Sequence, residues 1–399
     1  MFRRYLLITF LICTCCSSIA QLCKGNSGDP IVNVTFGTYH GRLGYNETDF
    51  DYTGGCPIKG SYTITPLVFG CGDNRSWLTV AGDHTMDVGG NYMLVNAESW
   101  DGVTTSAIVH RDTATGLCNN VQYVFSAWAT GVIRRFSCEG KAVTANLQFK
   151  VTSLSGVLIA SYDAGDLPRT EESFWKQYGL TFRMPPGESS AILTVYTTRK
   201  YGCGQGFAID DITLKPCGPV INALVNGSAG PLRVCADFNK PFIFTATYEA
   251  GFANPSIQWQ NSLDSGKTWS DIANATQLNF SIFRKDTGLI LYRMAVAEGD
   301  NIHSLHCRIL SNVLSTDVHA VPPHYPPNNV LGCLDKDLLL PKRDPFAISS
   351  MWTGPNGYNT TYQYASVPHF TYTDTGLYQL QQHFLTGCTT LDSFYVQAF

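Results

Sequence analysis

The sequence predicts an all-β chain, one large β-sandwich followed by two smaller ones. Gly, Tyr and Phe are abundant, at 36, 20 and 22 of 399 residues, which suits short strands joined by tight turns. Several runs alternate polar and apolar residues, and no ten-residue stretch carries a 3.6-residue apolar period. One order of cysteine, tryptophan and tyrosine occurs twice toward the C-terminus.

The amino terminus reads as an export signal. Met1-Phe2-Arg3-Arg4 is a charged start, residues 5–12 are apolar, and Ser17-Ser18-Ile19-Ala20 offers cleavage after Ala20. The apolar run falls short of the ~20 residues a membrane span needs, and no later stretch supplies one. Cys15 and Cys16 leave a lipoprotein route as the alternative, although Thr14 stands where a smaller residue is usual. Residues 1–20 are therefore expected to be a signal peptide, and the mature chain extracellular or at the cell surface. Charged residues are 15%, the net charge is −4 and no Lys/Arg run follows Arg4, which argues against a nucleic-acid surface. Nothing in the sequence sets an oligomeric state.

Of 14 cysteines, Cys13, Cys15 and Cys16 fall in the signal, so eleven meet an oxidising compartment. The odd number leaves at least one thiol free or intermolecular. The mature chain has no C-x-x-C, so metal spacing is absent. Seven cysteines lie from Cys23 to Cys217, then Cys235 with Cys307 and Cys333 with Cys388. Proline-containing joints at 216–219 and 321–327 separate these groups and place domains at 21–218, 219–320 and 321–399.

In the first domain, 123–128 (Tyr-Val-Phe-Ser-Ala-Trp), 146–151, 191–196 and 207–214 read as strands punctuated by Gly, Asn and Asp. About 195 residues of such strands fit a jelly-roll sandwich. In the second, Cys235 is followed by Trp259, Asp286-Thr287-Gly288, Tyr292 and Cys307. In the third, Cys333 is followed by Trp352, Asp374-Thr375-Gly376, Tyr378 and Cys388. That order is immunoglobulin-like: a central Trp, a Tyr whose hydroxyl bonds back across a corner, and a disulfide between sheets. The second Cys follows the Tyr by 15 and 10 residues rather than two, so each bridge is expected at the rim. Met294 and Leu380 then take the usual position as core residues. The expected pairs are Cys235–Cys307, Cys333–Cys388, Cys56–Cys71 (a short loop) and Cys23–Cys217 (tying the terminal strands). Cys118–Cys203 is the third choice in the first domain and leaves Cys138 free, with Cys138–Cys203 as its competitor.

The first domain resembles exported jelly-roll modules of gliding, polymer-degrading bacteria, similar in look to carbohydrate-binding and MAM-like sandwiches. The stretches that carry the resemblance are 28–37 (Gly-Asp-Pro-Ile-Val-Asn-Val-Thr-Phe-Gly), 92–97, 116–118 with 123–128, 175–179, 207–212 and Pro216-Cys217-Gly218-Pro219. Residues 257–262, 266–272 and 352–357 resemble the Ig-like repeats that follow such modules. The family implies surface proteins of the type IX secretion route, but the C-terminal sorting domain usual there is not found before Phe399. Structural calcium is common in related jelly rolls, which points to Asp29 with Asp210 or Asp211 as ligands. Hard oxygen donors suit that ion. Asp210 and Asp211, adjacent on a strand, are expected to point to opposite faces, which rules out a carboxylate pair.

Gly202-Cys203-Gly204-Gln205-Gly206 opens no helix, so it is not a phosphate loop. His84, His110, His303 and His306 have no metal-spaced partners, and no catalytic signature appears. The chain is therefore expected not to be an enzyme; a hidden glycosidase pair, which has no fixed spacing, is the remaining enzymatic reading. Asn33, Asn46, Asn226 and Asn274 head N-x-S/T triplets, meaningful only in a eukaryotic route. Aromatic rings are the best ligand signal, since sugar C–H faces stack on them. Trp100 (in Glu98-Ser99-Trp100-Asp101-Gly102) and Trp77 lie in polar, loop-like stretches, and Trp128 lies on a strand facing the concave sheet. The expected partner is a glycan or another cell-surface polymer, with a structural or protein-adhesion role as the alternative.

Overall fold

The computed structural model describes residues 22–37, 42–72, 75–85, 89–322, 329–341, 344–362 and 364–399. The proposed signal peptide, its three cysteines and most of the 321–327 joint lie outside these residues. The chain is all-β. It forms two compact units, one running through Val220 and including Ala250–Pro255 and Ala297–Ile309, the other holding Ile221–Glu249, Ser256–Val296 and Leu310–Phe399.

The first unit is built on a jelly-roll sandwich. Its larger sheet orders Lys176–Arg183, Gln122–Gly131, Gly206–Cys217, Tyr92–Asn96, Ser61–Thr65 and Asp51–Tyr52, with Val32–Val34 also on Gly206–Cys217. The smaller sheet orders Leu158–Asp166, Asn146–Thr152, Ser190–Arg199 and Thr105–Thr115. Alternation decides what each strand buries. Phe125, Phe149, Met93, Val95, Phe207 and Ile209 fill the space between the sheets. Tyr92, Leu94 and Ala208 point the other way, yet they are buried as well. They lie under a second apolar cluster that includes Val68, Cys71, Trp77, Val80, Val132 and Ile133. The larger sheet is thus covered on both faces.

In the second unit, one Ig-like sandwich faces the sheet Ile221–Val225, Phe242–Tyr248, Asn279–Ile282 against Leu232–Cys235, Leu314–His319, Gly288–Glu298, Pro255–Ser262 and Ser270–Asp271. Trp259 is fully buried at its centre, 4.9 Å from Phe280, and its Nε1 donates to Gln277 O at 2.8 Å. The other sandwich carries the sheet Asn329–Gly332, Thr389–Ala398, Gly376–Phe384, Ala347–Thr353 and Asn359–Thr360 over Leu338–Leu339 and Ser366–Val367. Trp352 is fully buried there, and the Tyr378 hydroxyl donates to Asp374 O at 3.0 Å, closing the tyrosine corner. Met294 and Leu380 are core residues.

Among the described residues five disulfides form: Cys23–Cys217, Cys56–Cys71, Cys138–Cys203, Cys118–Cys307 and Cys235–Cys388. Such a set belongs to an oxidising, non-cytoplasmic compartment. Three expected pairs are corrected. Cys118–Cys203 gives way to its competitor, so Cys138 is not free. Cys235–Cys307 fails because two 3₁₀ turns, Gly299–His303 and Leu305–Cys307, carry Cys307 into the first unit. There it packs into the jelly-roll core and bonds Cys118. Cys333–Cys388 fails because the hairpin turn before Thr389 packs on Cys235's strand, with Gly387 against the Arg233 backbone. Cys333, which follows the edge strand Asn329–Gly332, is left free and exposed. Among the described residues no helix is long and apolar enough to cross a membrane.

The two central tryptophans differ in one bond. Trp352 Nε1 is buried without a hydrogen-bond partner among the described residues, whereas Trp259 Nε1 is bonded. Truncation of either ring to Ala should cost about 3–5 kcal/mol. Replacement by Phe separates them. Trp259→Phe leaves Gln277 O unpaired as well as shrinking the ring, while Trp352→Phe removes an orphaned donor. Urea unfolding should therefore show Trp259→Phe as the more damaging by ~1 kcal/mol or more. Equal losses would contradict the assignment.

Candidate functional site

Trp100 lies on the loop after Tyr92–Asn96, and Tyr201 on the loop before Gly206–Cys217. The loops are laced together. Ser99 N donates to Lys200 O at 3.0 Å, Lys200 N to Gln205 Oε1 at 3.1 Å, and Ala97 N to Gln205 O at 3.0 Å. Gln205 is buried, and its side-chain amide donates back to Lys200 O. Asp101 accepts from the Ser99 hydroxyl at 2.6 Å and from Val103 N at 3.0 Å, which holds its carboxyl below the usual range. The ring of Trp100 is anchored by Nε1 donating to Lys59 O at 2.7 Å, yet 64% of the residue is exposed. Tyr201 is equally exposed at 64%. The Lys59 ammonium lies 5.9 Å from the Trp100 centroid and 5.6 Å from that of Tyr201, and 2.6 Å from Glu98 Oε1. Two solvent-facing rings are thus fixed on one cation, a surface able to stack on the apolar face of a sugar.

Trp77 is corrected from ligand platform to structural cover. It is only 4% exposed, and its segment forms a bridge with Ile133. A Cβ at Gly206 would fall 2.7 Å from the Trp77 ring, so that glycine makes room for it. The polar context of Trp77 concealed this, because the residues that bury it include distant ones, Val132, Ile133 and Ala208, delivered by other strands and loops.

Trp128 is half-buried on the outer face of the larger sheet, stacked on His84 with centroids 3.7 Å apart and planes at 16°. His84 Nδ1 is 2.7 Å from Asp211 Oδ2, and His84 N donates to Asp210 Oδ2 at 3.1 Å. Asp210 and Asp211 therefore both reach His84 instead of pointing to opposite faces. The ladder slips between Asp210 and Thr213, and Asp211 takes φ +47°. That is a β-bulge, which turns two successive side chains the same way. Asp29 is not part of the cluster. Its neighbour Gly28 bonds Pro216, five residues from Asp211, or roughly 16 Å along a strand. Asp29, Asp210 and Asp211 are thus not gathered as calcium ligands. Among the described residues no three His, Cys, Asp or Glu form a group that could hold a metal.

No family model matches the chain, and no curated protein matches it. Solved structures share only loose likeness. The bacteriophage CBA120 tailspike protein 4 domain is 14% identical over 43% of this chain and 18% of its own, with a TM-score of 0.26. A beta-1,2-glucanase from Parabacteroides distasonis is 10% identical over 75% of this chain and 40% of its own, TM-score 0.26. The N-terminal four Ig domains of Dscam1 are 10% identical over 69% of each chain, TM-score 0.22. The chain therefore spans less than half of the first two.

Burial pushes the Asp210 carboxyl up to about 7, with the Asp211 and Asp83 carboxylates adding to the rise against the His84 and Asp211 N–H bonds. In the unfolded chain it loses its proton near 4. The folded state thus holds a proton that the unfolded state has shed. The stability this carboxyl contributes is complete below about pH 4 and is lost as pH rises through 7. Asp210→Asn, which cannot ionise, should have a flatter melting-temperature profile than wild type between pH 5 and 8. Parallel profiles would show that Asp210 is not held neutral.

Proposed function

We propose that this is an exported, non-catalytic binding protein whose jelly-roll sandwich holds a glycan or similar surface polymer on the Trp100–Tyr201 platform. The Ig-like sandwiches act as spacers. The observation that carries the reading is an anchored, 64%-exposed Trp100 beside an equally exposed Tyr201. The two rings share one cation in solvent, unlike the single exposed apolar residues scattered over any protein surface. Ring immobilisation lowers the ordering cost of binding. The order of modules also resembles that of exported surface proteins.

A second reading, protein–protein adhesion without a sugar site, has one observation in its favour. On the last sandwich, Leu377 and its cross-strand partner Tyr395 are 52% and 49% exposed, with Leu391 and Leu331 also exposed on that sheet. A polymer screen separates the two readings.

A glycan array with the mature chain identifies the ligand. Trp100→Ala should then weaken binding by about 1–3 kcal/mol, by analogy with base–aromatic stacking. Its melting temperature should hold, because a rim ring leaves no core cavity. Neutral-glycan binding at the platform should be nearly insensitive to salt. A Trp100→Ala chain that unfolds, or that binds as before, contradicts the platform.

A further inference from the structure

The cover over the larger sheet contains a second, chemically different feature. Residues 75–77 and 133–141 run beside each other, with Arg134 N donating to Ser76 O at 3.1 Å and the Ser137 hydroxyl to the same oxygen at 2.9 Å. The Cys138–Cys203 disulfide closes the loop. Between these segments opens a cleft of about 820 Å³, lined by Arg75, Arg134, Lys141, Glu139 and the two serines. Among the described residues, three cations and a single carboxylate line it. None of the three forms an ion pair among the described residues. Arg134 Nε is fixed on Trp77 O at 3.2 Å. Between the lining residues Arg134 and Ser137 the chain carries Phe136, 76% exposed, with the Arg135 guanidinium 5.7 Å from its centroid. In a chain of net charge −4, unpaired cations held together in one concavity make a local positive field. Guanidinium and hydroxyl donors suit planar or tetrahedral oxyanions.

We propose that this cleft binds an oxyanion borne by a polysaccharide, a sulfate ester or a carboxylate. The proposal stands independently of the Trp100 platform. A polymer is favoured over a free ion because the lining segment also carries one exposed ring, Phe136, on which the sugar that bears the anion can stack. The concavity is one cleft rather than a track, so it fits one or two charged groups and not a phosphodiester backbone.

The test uses the mature chain with three polymers of one backbone: dextran, carboxymethyl-dextran and dextran sulfate, measured by titration calorimetry at low ionic strength. One or both charged dextrans should bind at least tenfold tighter than neutral dextran, with an advantage that shrinks as salt is added. The winner identifies the oxyanion. Arg75→Gln combined with Lys141→Gln should remove at least tenfold of that advantage, while Lys267→Gln, remote in sequence and exposed, should not. Glu139→Gln should strengthen binding, a gain that misfolding cannot mimic. Trp100→Ala should leave unchanged the loss in charged-dextran affinity that the Arg75→Gln, Lys141→Gln pair causes, so failure of the platform and failure of the cleft are told apart. Equal affinity for all three dextrans would overturn the proposal. So would a double variant no weaker than Lys267→Gln, or binding of inorganic sulfate without any preference for the charged polymers.

Discussion

The first unit depends on one constraint, a β-sheet that must be dry on both faces. Its central strands are apolar in both directions. Tyr92 and Leu94 alternate with Met93 and Val95, and all four are essentially inaccessible. A half-solvated sheet would alternate with polar residues, whereas a sheet covered on both sides reads as a continuous apolar run. The opposing sheet supplies one cover. The other is made of loops, which have little ladder bonding of their own. Cys56–Cys71 and Cys138–Cys203 pin them, and Trp77 fills the space between. At about 25 cal/mol per Å² of apolar surface removed from water, burying a large aromatic ring stabilises by several kcal/mol, enough to hold such a cover down.

This cover decides where recognition can occur. A jelly roll with an open concave face would use strand-borne rings, and Trp128 sits where such a ring belongs. Here His84 lies flat on it, held in turn by Asp210 and Asp211. Exposed aromatic surface also occurs on loops where neighbouring strands meet. Trp100 and Tyr201 belong to those loops, and the arginines and lysine of the basic cleft belong to the cover itself.

Much of the architecture was legible in the sequence because it rests on local periodicity. The strands at 123–128, 146–151, 191–196 and 207–214 follow from alternation, and all lie within longer strands of the structure. Trp259, Trp352 and the Tyr378 corner follow from a repeated order of residues. What escaped has a common cause: each miss depends on where a distant segment is delivered. Cys307 and Cys388 were paired by spacing within one sandwich. The structure instead bonds them to Cys118 and Cys235, because short turns carry them away from the nearest thiol. The bulge at Asp211 needs a positive φ in a residue that is not glycine, and no pattern of side chains announces it. Tyr201 was missed because a lone Tyr beside Gly and Cys looks like an ordinary turn. The exposure of Trp100 is legible in its polar neighbours Glu98, Ser99 and Asp101, a signal that misleads at Trp77.

The central claim is that the outer face is closed and that the rim is open. Residue-resolved hydroxyl-radical footprinting by mass spectrometry tests it on all the tryptophans of one chain. Trp100 should oxidise fastest, Trp128, Trp175 and Trp269 at intermediate rates, and Trp77, Trp259 and Trp352 slowest, in the order of their exposure. Saturation with a bound polymer should then slow Trp100 selectively. Oxidation of Trp77 as fast as that of Trp100 would mean that the sheet's outer face is open, and would contradict the account.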